Sequence, residues 1–132
     1  MPAELLHQVR GHLEYLGYIF STEGKSIIGT HTTKPNINVR GYKGGVLLTA
    51  AYVVKNTAEA DPAGFLKFVN DANLRAAVAR YVWKADEKAL LVEAWHPKSY
   101  DRSAFTDFFE AWLNDASEYF TKEEQLGRTY LE

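Results

Sequence analysis

The chain has 132 residues, 46% of them apolar and 24% charged, enough to build the core of one domain over 1–132 and to exclude a disordered chain. Its formal charge of −2 argues against a dedicated nucleic-acid binder, whose affinity comes largely from Lys and Arg neutralising phosphates. It has no cysteine, which excludes a disulfide scaffold, a thiolate metal site and a cysteine nucleophile.

Leu5, Leu6, Val9, Leu13 and Leu16 recur at helical spacing and predict a first helix over 4–16, with Gly17 at its C-terminal cap. Tyr18-Ile19-Phe20 reads as a short apolar link and 21–25 as a polar turn. Three strands follow, at 26–31, 37–42 and 46–54. Lys34-Pro35-Asn36 and Lys43-Gly44-Gly45 are the turns between them. The last strand is apolar on both faces, which predicts a central position in a sheet.

Residues 56–61 read as a loop. Asp61-Pro62 is a helix start, and Phe65, Leu66, Phe68, Val69 and Ala72 form the stripe of a second helix ending near Asn73. Asn73 itself suits a helix C-terminus, because asparagine tolerates the left-handed conformation there. A hairpin comes next, with strands 77–83 and 89–95 around a loop at 85–88. The third helix carries Phe105, Phe108, Phe109, Trp112, Leu113, Ala116, Tyr119 and Phe120 at helical spacing, with Asp101 and Ser103 as candidate caps. Residues 127–132 are expected to be a mobile tail.

The expected order is therefore α-β-β-β-α-β-β-α: an α+β fold, an antiparallel sheet with helices packed on one face. The first ten residues lack a basic region followed by an apolar core, and no apolar run approaches the roughly 18 residues of a membrane span. A cytoplasmic protein with no membrane partner is expected.

Catalytic signals are weak. His7 and His12 are about 140° apart on a helix, and no His-Glu-x-x-His spacing occurs. The histidines therefore read as surface residues, and neither a metal site nor a cofactor is expected. There is no Gly-x-Ser-x-Gly turn. The paired acids Asp86-Glu87 and Glu123-Glu124 lie in polar, solvated segments. Gly41-x-x-Gly44-Gly45 sits in a predicted hairpin rather than between a strand and a helix, so it reads as a turn and not a phosphate loop. These readings favour a non-enzymatic protein.

The second hairpin is more informative. With a four-residue loop, Tyr81 faces Val92, Trp83 faces Leu90 and Ala79 faces Ala94 on an apolar side that belongs under the helices. The other side carries Val78, Arg80, Val82, Leu91, Glu93 and Trp95, with Arg80 opposite Glu93. Strand 37–42 adds Asn38, Arg40 and Tyr42. Trp, Tyr and Arg are enriched in contact surfaces, because they bury much area and keep a polar handle. Against this, single exposed apolar residues are ordinary on soluble proteins.

The element order, with Phe65-Leu66-Lys67-Phe68-Val69-Asn70-Asp71-Ala72-Asn73 leading into a hairpin that holds Arg80 and then into an aromatic final helix, resembles the YbjN-like family. Its members are regarded as candidate bacterial sensory transduction regulators, and their fold is similar to that of the type III secretion chaperones. The resemblance implies a bacterial cytoplasmic protein, often dimeric, without established catalysis. It also implies chaperone-like binding of a protein segment along helices and sheet. The charge of −2 departs from the clearly acidic character of the secretion chaperones and argues against a dedicated secretion role.

The expected function is a regulatory or chaperone-like binding module, a homodimer that holds a protein or peptide through the outer sheet face. Val78, Arg80, Val82, Leu91, Glu93 and Trp95 would form the contact, with Arg40 and Tyr42 at its margin. The alternative is a small-molecule sensor or modest enzyme. Its pocket would lie between sheet and helices, lined by Tyr52, Tyr81, His96 or Arg80.

Overall fold

The structure is a computed structural model that describes residues 3–121 and 130–132. In chain order its elements are α1 (Ala3–Tyr15), β1 (Ile19–Glu23), β2 (Ser26–Thr30), β3 (Ile37–Tyr42), β4 (Gly45–Val53), α2 (Thr57–Ala60), α3 (Pro62–Arg75), β5 (Arg80–Lys84), β6 (Ala89–His96) and α4 (Arg102–Thr121). A single 3-10 turn, Ala85–Glu87, joins β5 to β6. The six strands form one antiparallel sheet in the order β1-β2-β3-β4-β6-β5. The α+β class and the helices on one face are as expected.

One strand escaped the sequence reading. The segment read as an apolar link and a polar turn contains β1, and only Gly24-Lys25 turns. β1 has no apolar alternation to reveal it, because four of its five residues are exposed. Its order comes from backbone pairing to β2. Residues 57–60 of the expected loop form the one-turn helix α2, and Ala58 is buried. In the turn at 43–45, Lys43 and Gly44 take the positive φ angles, 48° and 81°, while Gly45 opens β4.

The core lies between the sheet's inner face and α1, α3 and α4. Leu5, Val9 and Leu13 of α1, Phe65, Phe68 and Ala72 of α3, and Phe105, Phe109, Trp112 and Ala116 of α4 are buried there. They cover Val39, Val46, Leu48, Ala50, Leu90 and Val92 of the sheet. The side chains of Tyr119 and Phe120 lie outside the described residues. β4 is central, between β3 and β6, as its two apolar faces predict.

The caps form as the sequence predicts at both helices that follow an Asp. Asp61 Oδ1 accepts the Gly64 N–H at 3.1 Å, and Asp101 Oδ2 accepts the Ala104 N–H at 2.8 Å. α1 ends at Gly17, with the Tyr18 N–H returning to the Leu13 carbonyl at 3.1 Å.

Four further expectations are corrected. Residues 127–129 of the expected mobile tail lie outside the described residues, but Tyr130 and Leu131 are buried and Leu131 bridges to Val54. The Lys55 N–H donates to the Tyr130 carbonyl at 2.7 Å, and Tyr130 packs against Phe65 and Phe68. Two apolar side chains at the chain's end thus find a slot beyond β4.

The histidines are not all surface residues. His96 is buried against Phe105 and Phe108. His31 Nε2 donates to the Leu16 carbonyl at 3.0 Å, and its Nδ1 accepts the N–H groups of Thr33 and Lys34. His12 Nδ1 meets the Tyr100 hydroxyl at 2.7 Å. His7 alone of the four is exposed.

Asn73 is not a left-handed cap, since α3 continues to Arg75. It instead holds the backbone of Tyr81, the second residue of β5. The predicted strand 77–83 begins only at Arg80, because the N–H groups of Ala77, Val78 and Ala79 all donate to the buried carboxylate of Asp115 on α4.

Candidate functional site: the outer sheet face

Strand alternation fixes two faces of the β5–β6 hairpin. The register pairs Tyr81 with Val92 and Trp83 with Leu90 on the core side, and Arg80 with Glu93 and Val82 with Leu91 on the other. The predicted orientation is the observed one. Ala79, expected opposite Ala94, stands just outside the paired strand but packs against the core.

Arg80 and Glu93 form the electrostatic centre of the outer face. Arg80 Nε donates to Glu93 Oε1 at 2.7 Å and Nη2 reaches the same oxygen at 2.5 Å. Glu93 is only 6% exposed, so its carboxylate depends on this partner. The hydrogen bond that Arg80 donates to Glu93, then the charge of Glu93, raise the pKa of Arg80, and a hydrogen bond with Tyr42 adds to this.

Trp95 and Tyr42 form the adjoining corner. Trp95 Nε1 donates to the Tyr42 carbonyl at 2.7 Å. Its ring lies over Gly45, where a Cβ would come within 2.8 Å of ring atoms and 2.1 Å of the His96 carbonyl. The position requires glycine because of that approach. Leu47, paired with both Trp95 and Arg40, is 2% exposed although it sits on the outer face. Trp95 itself stays 45% exposed. The Arg40 guanidinium lies 5.1 Å from the centre of the Tyr42 ring and the Lys43 ammonium 5.3 Å from it.

Beside this corner the face is concave. A groove of about 710 Å³ is lined by Ile28, Asn38, Arg40, Thr49, Leu91 and Glu93, among others. Asn38 Oδ1 is buried there without a hydrogen-bond partner. Arg40 has no ion pair among the described residues. The groove therefore holds a desolvated acceptor without a donor beside a cation that rests on the Tyr42 ring and has no ion pair among the described residues.

Seven of the eight expected contact residues stand on this face: Arg80, Val82, Leu91, Glu93, Trp95, Arg40 and Tyr42. Val78 is exposed but precedes β5, held in the Asp115 loop. Leu47 and Thr49 were not anticipated. Their signal was the two-sided apolar run of β4, which required cover on its outer face as well.

The alternative pocket between sheet and helices does not gather its expected lining. The Tyr52 hydroxyl donates to the Ala116 carbonyl at 2.7 Å, and burial pushes its pKa up to about 12. Tyr81 donates to the Asp115 carbonyl, His96 Nδ1 lies 2.7 Å from the Pro97 carbonyl, and Arg80 is on the opposite face. Their polar atoms serve the fold and converge on no common point.

With this geometry the chain superposes on the crystal structure of YbjN from E. coli, described as a proposed transcription regulator, at a TM-score of 0.74 and 14% identity, covering 96% of this chain and 95% of that one. The fold is YbjN-like. An uncharacterized protein from Methanothermobacter thermautotrophicus is also similar, at a TM-score of 0.62 and 11% identity, over 85% of this chain and 91% of that one. No protein-family model and no curated protein matches the sequence. The YbjN-like fold thus spans α1 to α4 and includes the β5–β6 hairpin. No helix of the described residues is long and apolar enough to cross a membrane.

Proposed function

We propose that this chain is a non-enzymatic, cytoplasmic binding module with a regulatory or chaperone-like role. It works as a homodimer and holds a protein or peptide segment on its outer sheet face. The observation that carries this reading is the unfinished polarity of the groove. Among the described residues Asn38 Oδ1 is buried without a donor and Arg40 has no ion pair, and Trp95 at the adjoining corner is half open to solvent. A carboxylate or carbonyl on the segment meets the exposed Arg40. Trp95 supplies the apolar anchor typical of contact hot spots. The proposed regulatory role of YbjN is in keeping with such a module.

A photo-crosslinking amino acid placed at position 49, in the groove, tests the reading in cells. It traps a discrete partner from there and not from position 66, an exposed leucine on α3. Equal trapping from both sites, or none from 49, overturns the reading.

The groove's volume supports a second reading, a small-molecule sensor, since ligand sites span roughly 300–1,000 Å³. Thermal-shift screening against metabolites distinguishes it. A ligand raises the melting temperature of the wild type and loses that effect in Asn38→Leu.

A further inference from the structure

The sheet has two edge strands, and they are treated differently. At β5 the outward backbone is occupied at Tyr81, and among the outward positions of the strand only Trp83 keeps its groups free. The Tyr81 N–H donates to Asn73 Oδ1 at 2.6 Å, and Asn73 Nδ2 donates to the Tyr81 carbonyl at 3.0 Å. Just before β5, Asp115 takes the N–H groups of 77–79. An additional strand finds no free donors along that stretch.

At β1 the edge is bare. Glu23 and Ser26 close a two-residue turn at Gly24-Lys25, with Gly24 at φ +60°. By the alternation of an antiparallel ladder, Ile19, Ser21 and Glu23 then spend their backbone groups on β2. Phe20 and Thr22 point theirs away from the sheet, and no described residue accepts from or donates to them. The strand holds neither Lys nor Pro, its one charge is Glu23 at the turn, and Ile19 is 76% exposed.

We infer that β1 is the seam of a two-fold dimer, pairing antiparallel with β1 of a second copy of this chain. The free groups select the register. With Ser21 on the two-fold axis, Phe20 faces Thr22 of the second copy, and every outward N–H and C=O of both residues gains a partner. A shift by one pair toward the start brings in Tyr18, whose N–H already serves the Leu13 carbonyl. A shift the other way brings in Gly24 of the turn. A second copy is the occupant because the free groups complete themselves under two-fold symmetry. The join makes the two sheets continuous and sets the two outer grooves side by side, since Ile28 of the groove stands on β2, next to β1. This inference deepens the homodimer reading and rests on it.

Two variants separate the seam from the dimer itself. Thr22→Pro removes an N–H that β2 does not use, so the hairpin survives and strand addition is blocked. Ser21→Cys places two thiols across the axis in a non-hydrogen-bonded pair. There the Cα atoms are about 4.5 Å apart, inside the roughly 4.4–6.8 Å that a disulfide spans. Light scattering after size exclusion, at tens of micromolar, is expected to give twice the chain mass for wild type and the single-chain mass for Thr22→Pro with an unchanged circular dichroism spectrum. Ser21→Cys is expected to yield a reducible covalent dimer on mild oxidation. A monomeric wild type overturns both the seam and the dimer reading. A dimeric wild type whose Ser21→Cys form fails to link overturns the seam alone, as does a dimeric Thr22→Pro. If Thr22→Pro fails to fold, the Ser21→Cys link decides.

Discussion

Arg80 and Glu93 stand directly opposite each other on β5 and β6, and both Nε and Nη2 of Arg80 converge on Glu93 Oε1. The pair is asymmetric, with an exposed guanidinium beside a buried carboxylate. Removing the cation therefore leaves an uncompensated charge, while removing the charge leaves a half-exposed arginine that water can solvate. Arg80→Ala is expected to cost about 2 kcal/mol and Glu93→Gln about 1 kcal/mol or less. The double replacement Arg80→Met with Glu93→Leu is expected to recover most of the loss. Urea denaturation of the three variants checks this order. Equal losses for the two single variants would show that the pair is not burial-driven.

Asp115 is the second test of how the hairpin is held. Its carboxylate is buried and receives three consecutive backbone N–H groups, from Ala77, Val78 and Ala79. Asp115→Ala removes the shared acceptor of three N–H groups and is expected to destabilise by about 2 kcal/mol, since hydrogen bonds to a charged group contribute roughly 1.5–3 kcal/mol. Hydrogen exchange is expected to speed up first at 77–81, before the β4–β6 ladder. Uniform acceleration across the sheet would contradict a local role.

Much of this architecture is legible in the sequence because it rests on periodicity. The stripe Phe105, Phe109, Trp112 and Ala116 identifies α4, and the Tyr81–Val92 and Trp83–Leu90 pairs fix which side of the hairpin is buried. What escapes rests on interactions between distant residues. β1 has no apolar pattern of its own. Asn73 and Asp115 look like ordinary polar helix residues, yet each binds backbone on another element, 8 and 36 to 38 positions away. The groove escapes for the same reason. Asn38 reads as one polar residue on a strand until the sheet buries its Oδ1 without a partner.

His12 is expected to make the helical layer sensitive to acid. Its Nδ1 meets Tyr100, its Nε2 lies 3.4 Å from Thr106 Oγ1, and its ring packs on Phe105. Burial first, then the Arg102 charge, hold its pKa below the ordinary imidazole value. The unfolded chain therefore binds this proton more readily than the folded one. The resulting stability is complete above about pH 6.5 and is lost as the pH falls toward the lower folded value. His12→Gln is expected to narrow the drop in melting temperature between about pH 7.5 and about pH 5.5. An unchanged drop would place the acid sensitivity elsewhere.

The outer face around Trp95 is expected to engage a partner. Parallel affinity capture from the host lysate with wild type, Trp95→Asp and Leu66→Asp tests it most directly. Position 66 is exposed on α3, away from the groove. The expected result is a protein retained by wild type and Leu66→Asp and lost from Trp95→Asp, with all three chains equally folded. Retention of the same proteins by all three would contradict the claim.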